Sequence, residues 1–466
     1  MYSADSPKVK TYIPLAVIIS PGLLWGLLHL FGPMPPAAIA SLLLIGIIIA
    51  VLERSFHWFS LLSVTLLFCV FIEPAPTDLI LSIIIPIGLL SGRYKPQIEA
   101  KSLFVIAVLL AYFVVSLPGI AFSYDQFEAL RYYFITLYLF VMSVFIGTYP
   151  NRSNIVPVLR AYILAAFLSS AAGITGYAGY YTQLLMPDGY RIQGLFKDPN
   201  VFGPFFVPAI IILADDIMRK KVLRCHALIH ISLIILFILC VIFSFSRAAY
   251  INLFISLFVY FSLNIRRYHS VKNFRAIIIL FVIFFLVFCI LISPLTDKTE
   301  IADFLKHRTK MQSYDFNRFE GQLGGLELAI RNPLGYGPGQ FESVIIRVTK
   351  YELSAHSLYI RVLTENGILG FLFFFASLGY LTVQLFLCHL RAKRYEEENS
   401  DAFNVSLYPS VIIALLCGLL INGSVVDTIH WRHFWFVIGL GLYCLRELRE
   451  ETAAYERKKR ETLHTS

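Results

Sequence analysis

The chain has 466 residues, of which 58% are hydrophobic and only 15% charged, and its mean hydropathy is +0.71. A water-soluble fold is excluded, since a soluble domain carries roughly a quarter charged residues. The net charge of +9 does not point to nucleic acid, because most Lys and Arg sit in short connections between apolar runs and in the C-terminal tail, where membrane topology expects them.

A helix needs roughly 20 apolar residues to cross the hydrocarbon core, at about 1.5 Å per residue. In chain order, runs of that kind predict spans at 12–31, 36–52, 57–73, 77–91, 102–120, 129–148, 155–180, 200–218, 226–244, 247–264, 274–293, 357–388, 406–426 and 431–446. No small-residue cleavage site follows the first run, which reads as a retained span. The expected fold is all-α, a polytopic transmembrane helix bundle of about 12–14 spans with one long, partly helical loop on the non-cytoplasmic side. The divisions expected are transmembrane helices with short loops over 1–293, the loop subdomain over 294–355, C-terminal transmembrane helices over 356–446, and a cytoplasmic, solvated tail over 447–466 that starts as helix. The seven cysteines lie in or beside the apolar runs, so neither a disulfide framework nor a thiolate metal site is expected.

The distribution of Lys and Arg orients the chain. With the N-terminus inside, the inward connections hold Arg93, Lys95 and Lys101; Arg219, Lys220, Lys221 and Arg224; Arg266, Arg267, Lys272 and Arg275; and Arg391, Lys393 and Arg394. The tail adds Arg446, Arg449, Arg457, Lys458, Lys459 and Arg460, so both termini are expected in the cytoplasm. The opposite face then receives segments 183–199, 245–247, 294–355 and 427–432. The third is long enough to be functional or to carry its own structure. Within it a helix is predicted over 316–331, with Phe319, Leu323, Leu326 and Ile330 at helical spacing, ended by Asn332-Pro333 and followed by a glycine-rich turn at 335–339.

Three features on that face carry the chemistry. Segment 191–200, RIQGLFKDPN, enters a span with Asn200 as its expected cap. Arg191 and Lys197 there gain nothing from the positive-inside rule, which leaves snorkelling or a ligand. The string SFSRAAY at 244–250 makes a very tight turn, where the Arg247 guanidinium is either an interfacial anchor or a bidentate grip on phosphate oxygens. Two arginines on one face suggest a diphosphate. The string SAHSLYIRVLTENG at 354–367 opens a long span, placing His356 in its first turn with Ser354 as a cap. The positive end of the helix dipole favours a neutral imidazole that accepts a proton near pH 7; capping or packing is the alternative role. Tyr359 and Glu365 either support the ring or face solvent. Asp427, His430, Arg432 and His433 cluster before the last span as further candidates to line a site. The glycine turn lacks the Lys-Ser/Thr ending of a phosphate loop, and no metal-ligand spacing occurs on this face.

These features, in this order, resemble the bacterial O-antigen ligase and polymerase superfamily of membrane glycosyltransferases. The resemblance runs from R-x-x-G-x-F-x-x-P-N at 191–200 and S-R-A at 246–248 to Asn332, Pro333, Gly335, Gly337 and Phe341, and closes with His356, Glu365 and Gly367. It covers roughly 190–435; the first half agrees in hydropathy alone, and Ser357 stands where Asn is commoner. It implies an enzyme of the bacterial inner membrane that takes a glycan from undecaprenyl diphosphate on the periplasmic side. Arg191 and Arg247 would hold the donor diphosphate, and His356 would deprotonate the acceptor hydroxyl for a single inverting displacement, with no metal and no cofactor. Arg318, Arg331 and Tyr336 would shape the pocket or contact acceptor and glycan. The acceptor implied is lipid A-core for a ligase or a lipid-linked repeat for a polymerase, with membrane lipids around the chain and no nucleic acid. The competing class is a transporter or flippase for lipid-linked oligosaccharides, which usually places ionisable residues near the bilayer midplane. Here Asp215 and Asp216 lie near the inner end of their span.

Overall fold

The computed structural model describes residues 36–151, 154–187, 189–268, 313–398 and 405–465. The spans predicted at 12–31 and 274–293, and loop residues 294–312, lie outside the described residues. Those described form fourteen α-helices and no named strand, in two compact units that divide after Gln97.

The first unit holds α1 (Pro36–Arg54), α2 (Phe56–Thr65, prolonged by a 3₁₀ turn at Leu66–Phe68) and α3 (Pro76–Leu90). Two spans were expected over 36–73, but Gly46–Arg54 and Phe56–Phe68 meet at 78°, as one broken span or a re-entrant segment. The break falls beside Glu53, whose buried carboxylate pairs with Arg93 Nε at 3.8 Å. The ten residues of α2 cover only about 15 Å, half the hydrocarbon thickness.

The second unit comprises α4 (Ala100–Ala121), α5 (Gln126–Thr148), α6 (Ile155–Tyr177), α7 (Pro199–Arg219), α8 (Ala227–Phe243), α9 (Arg247–Tyr268), α10 (Ser313–Arg331), α11 (Phe341–Thr349), α12 (Leu358–Glu398), α13 (Pro409–Asn422) and α14 (Arg432–Thr465). Six of these, α4 to α7, α9 and α12, are long and apolar enough to cross a membrane; α3, α8 and α13 are apolar but shorter. The chain is an integral membrane protein. Helix α7 is apolar on all sides and buries 89% of its span, as a central helix must. Around it, α12 packs on α4, α14 on α5, and α13 on α9. The α5–α14 pair approaches at Gly147, where an added Cβ would lie 2.6 Å from the Cβ of Leu442.

The basic tail is exposed over much of its length, at Arg449, Glu450, Glu456, Arg457 and Arg460, but its root is buried. Helix α14 continues through it, and Arg446 donates to the carbonyls of Thr148 (2.8 Å) and Pro150, beyond the C-terminus of α5. Glu447 accepts from the backbone N–H of Ser406 at 2.7 Å. Both are buried because they satisfy backbone groups left over at helix ends. Asp216 does the same at the far end of α7, accepting from Val222 N (2.6 Å) and Leu223 N (2.8 Å) and meeting His230 Nε2 at 2.7 Å. Asp215 pairs with Arg219 at 3.4 Å and accepts from Tyr260 Oη at 3.1 Å. These carboxylates brace a loop, an arrangement unlike a midplane relay.

Candidate active site

The segments expected on one face converge at one end of the second unit. Chain 185–192 folds on itself through a Leu185–Ile192 bridge, and Ile192 N donates to Phe243 O at 3.0 Å, bringing Arg191 to the α8–α9 turn. The cap of α7 is Asp198, not Asn200: its carboxylate accepts from Asn200 N at 2.8 Å, and Pro199 takes the first helical position. Proline prefers that position because it has no N–H to orphan, so the helix starts one residue earlier than expected. Asn200 Oδ1 is left to accept from Arg191 Nη2 (3.4 Å) and Ser246 Oγ (2.8 Å). Arg191 Nε donates to Ser244 O at 3.2 Å.

The turn itself needs Phe245 at φ +48°, and Ser246 Oγ accepts from Ala249 N at 3.3 Å, capping α9. Arg247 is therefore the first helical residue, with an exposed side chain.

His356 precedes α12 rather than lying in its first turn. It holds φ +40°, and Leu358 N turns away to donate to Gly423 O at 2.7 Å, so the helix starts two residues later than His356. The capping oxygen is Ser357 Oγ, 3.5 Å from Ile360 N, while Ser354 Oγ donates to Glu342 Oε1 at 3.0 Å. Ser and Asn are both good N-caps, so Ser357 meets this need as Asn would. Gln322 Nε2 holds the His356 carbonyl at 3.4 Å.

Arg191, Arg247, Arg318 and His356 line a single cavity of about 620 Å³, together with Asn200, Asn317, Gln322, Glu352 and Ser354. Burial, reinforced by the positive charge of Arg318, lowers the His356 pKa below the ordinary imidazole value of 6.5. The ring is thus neutral at pH 7. Three guanidinium-bearing side chains and a neutral imidazole facing one space can neutralise an anionic leaving group and accept a proton. Among the described residues, no group of three or more His, Cys, Asp or Glu is arranged to hold a metal ion.

The other predicted residues lie outside this lining. Lys197 is exposed, and Arg331 pairs with Glu327 on the surface of α10. Tyr336 packs beside Phe341, Tyr359 donates to Leu420 O at 3.0 Å and stacks on Phe375, and Arg432 starts α14. Glu365 is buried behind the cavity. There Arg361, which the sequence did not single out, meets Glu365 (2.8 Å), Asp427 (2.6 Å) and Glu342. Burial raises the Glu342 pKa, but Arg361 and the Ser354 hydroxyl outweigh it and hold the carboxyl below its usual range. The signal available was the i,i+4 spacing of Arg361 and Glu365 on an otherwise apolar helix. The remaining cluster serves packing: His430 meets Thr136 at 3.2 Å, and His433 is buried against Phe205 and Trp431.

The glycine turn also has a place. Gly367, at φ +71°, interrupts α12 and frees the carbonyls of Thr364 and Glu365. Tyr336 N and Gly337 N fill them at 3.1 and 2.8 Å, and Ile368 N donates to Pro333 O at 2.9 Å. The loop is thereby stitched to the helix that follows His356.

A model of the O-antigen ligase family matches residues 232–375, from α8 into α12, about a third of the chain. Over that segment the chain is similar to the O-antigen ligase family. The match bears out the superfamily resemblance expected from the motifs, and it supports an O-antigen ligase-type function in general terms. The O-antigen ligase match contains Arg247, Arg318 and His356; Arg191 lies before it. No curated protein matches the sequence.

Proposed function

We propose that this protein transfers a glycan from an undecaprenyl-diphosphate carrier to an acceptor hydroxyl on the periplasmic face, with both termini in the cytoplasm. The observation that carries the reading is the convergence of Arg191, Arg247, Arg318 and His356 on one cavity. Guanidinium forks match phosphate oxygens in bidentate fashion and stay charged at any working pH. In the step itself, the acceptor oxygen forms a bond to the anomeric carbon as the bond from that carbon to the diphosphate oxygen breaks. The electron pair leaves with undecaprenyl diphosphate, the hydroxyl proton goes to His356, and configuration inverts. Arg191 and Arg247 stabilise the charge growing on the leaving oxygens, a role a divalent metal fills elsewhere. Asn317, Gln322 and Glu352 offer hydrogen bonds to sugar hydroxyls.

The acceptor is either the next lipid-linked repeat or lipid A-core, and the sequence leans toward the repeat. Purified protein incubated with the lipid-linked repeat, with and without lipid A-core, distinguishes them by product size: lengthening without core marks a polymerase, and transfer only with core a ligase. No transfer to either would refute the proposal. Activity is expected to survive EDTA; loss restored by added metal would refute the metal-independent step.

A further inference from the structure

A second cavity, of about 350 Å³, lies between α4, α12 and α14, lined among others by Lys101, Arg391 and Arg449. It sits at the other end of the unit from His356. Lys101 stands at the start of α4, whereas Gly119, near its end, lies against Gly337 of the glycine turn. The 22 residues of α4 separate the two ends by about 33 Å. Arg391 is correspondingly far along α12 from Leu358, and Arg449 far along α14 from Arg432.

Three cations from three helices converge here, and among the described residues none of them makes an ion pair. Two carboxylates, Glu99 and Glu456, line the same space and leave the cations in excess by one. Glu99 caps α4, accepting from Lys101 N (2.7 Å) and Ser102 N (3.1 Å), and Glu456 accepts from Tyr395 Oη at 3.4 Å. Most of the remaining wall is apolar, with Ala392, Leu445, Leu448 and Ala453, beside Thr452 and Cys388. Three cations against two carboxylates leave the lining with an excess of positive charge, which an anion in the space offsets. A polar mouth with cations and an apolar back is the shape of a site for a charged head joined to a chain.

We infer that this cavity binds a phosphate-bearing anion, held by Lys101, Arg391 and Arg449, separately from the donor site. The source is the head group of an anionic membrane phospholipid or a free phosphate compound, and two ligands distinguish them. The test uses the delipidated full-length protein in detergent and follows its thermal midpoint with phosphatidylglycerol, with phosphatidylcholine as the uncharged comparison, and with inorganic phosphate. Phosphatidylglycerol is expected to raise the midpoint where phosphatidylcholine does not, and each of Lys101→Gln, Arg391→Gln and Arg449→Gln to weaken its apparent affinity about fivefold. The same pattern with inorganic phosphate alone would assign a free phosphate compound. Lys393→Gln and Arg394→Gln, basic positions outside the lining, should leave the response unchanged. Glycan transfer by each variant checks that it folds. The inference is overturned if neither ligand shifts the midpoint, or if the outside pair weakens the response as much as the lining residues do.

Discussion

The Ser246 hydroxyl donates to the Asn200 carboxamide oxygen at 2.8 Å, tying the turn that bears Arg247 to the helix start that follows Arg191. The same oxygen accepts from Arg191 at 3.4 Å, so one side chain positions two guanidinium-bearing segments. Arg191 and Arg247 are therefore expected to act as a unit. Arg191→Ala or Arg247→Ala should weaken donor binding and turnover together. Asn200→Ala should weaken binding through both, by roughly tenfold if one charged hydrogen bond of about 1.5 kcal/mol is lost. Donor affinity measured by titration checks all three.

The rate should depend on pH through His356. A base whose pKa lies below 6.5 is neutral at pH 7, so kcat/KM is flat there and falls only in more acid solution. Burial is the main cause of the lowering and Arg318 the next, so Arg318→Gln removes a repulsion against the imidazolium and should move the acid limb upward in pH. A limb that stays in place would detach Arg318 from the base.

Arg361 is buried among three carboxylates, and replacing it with Met leaves Glu342, Glu365 and Asp427 uncompensated. A loss of about 3–5 kcal/mol is expected, read as a lowered midpoint of thermal unfolding in detergent. Arg361→Lys should recover only part, because a single ammonium cannot serve three partners in a fork.

Gly367→Ala forces a side chain onto a backbone at φ +71° and ψ −177°, a conformation nearly confined to glycine. The backbone cost is about 1–3 kcal/mol. An added Cβ also meets the Pro333 carbonyl, so the loop should detach and open to amide hydrogen exchange around 333–337.

The chemistry was most legible where it contradicts its surroundings. Arg191, Arg247 and His356 stand out as polar groups at the ends of apolar spans, away from the basic connections, where neither hydropathy nor topology requires them. Hydropathy located the helices well where each is straight, and failed at α1 and α2, since a 78° bend leaves no mark on an apolar average. Arg361 escaped notice because its partners Glu342 and Asp427 are distant in sequence and only folding assembles them. The α7 cap was readable from the Asp-Pro pair at 198–199, had proline's preference for the first helical position been given priority over the amide of Asn200. At the root of the tail, Arg446 and Glu447 are buried because they answer backbone groups that sequence does not display.

The central claim is that His356 is the base of the transfer and not a holder of the donor. The most direct measurement is single-turnover transfer by His356→Ala in reconstituted membranes loaded with lipid-linked donor, with donor binding measured on the same sample. The predicted result is unchanged donor affinity with transfer slowed by about 10²–10⁴-fold, the range a general base contributes. Transfer at the parent rate with donor bound would contradict it.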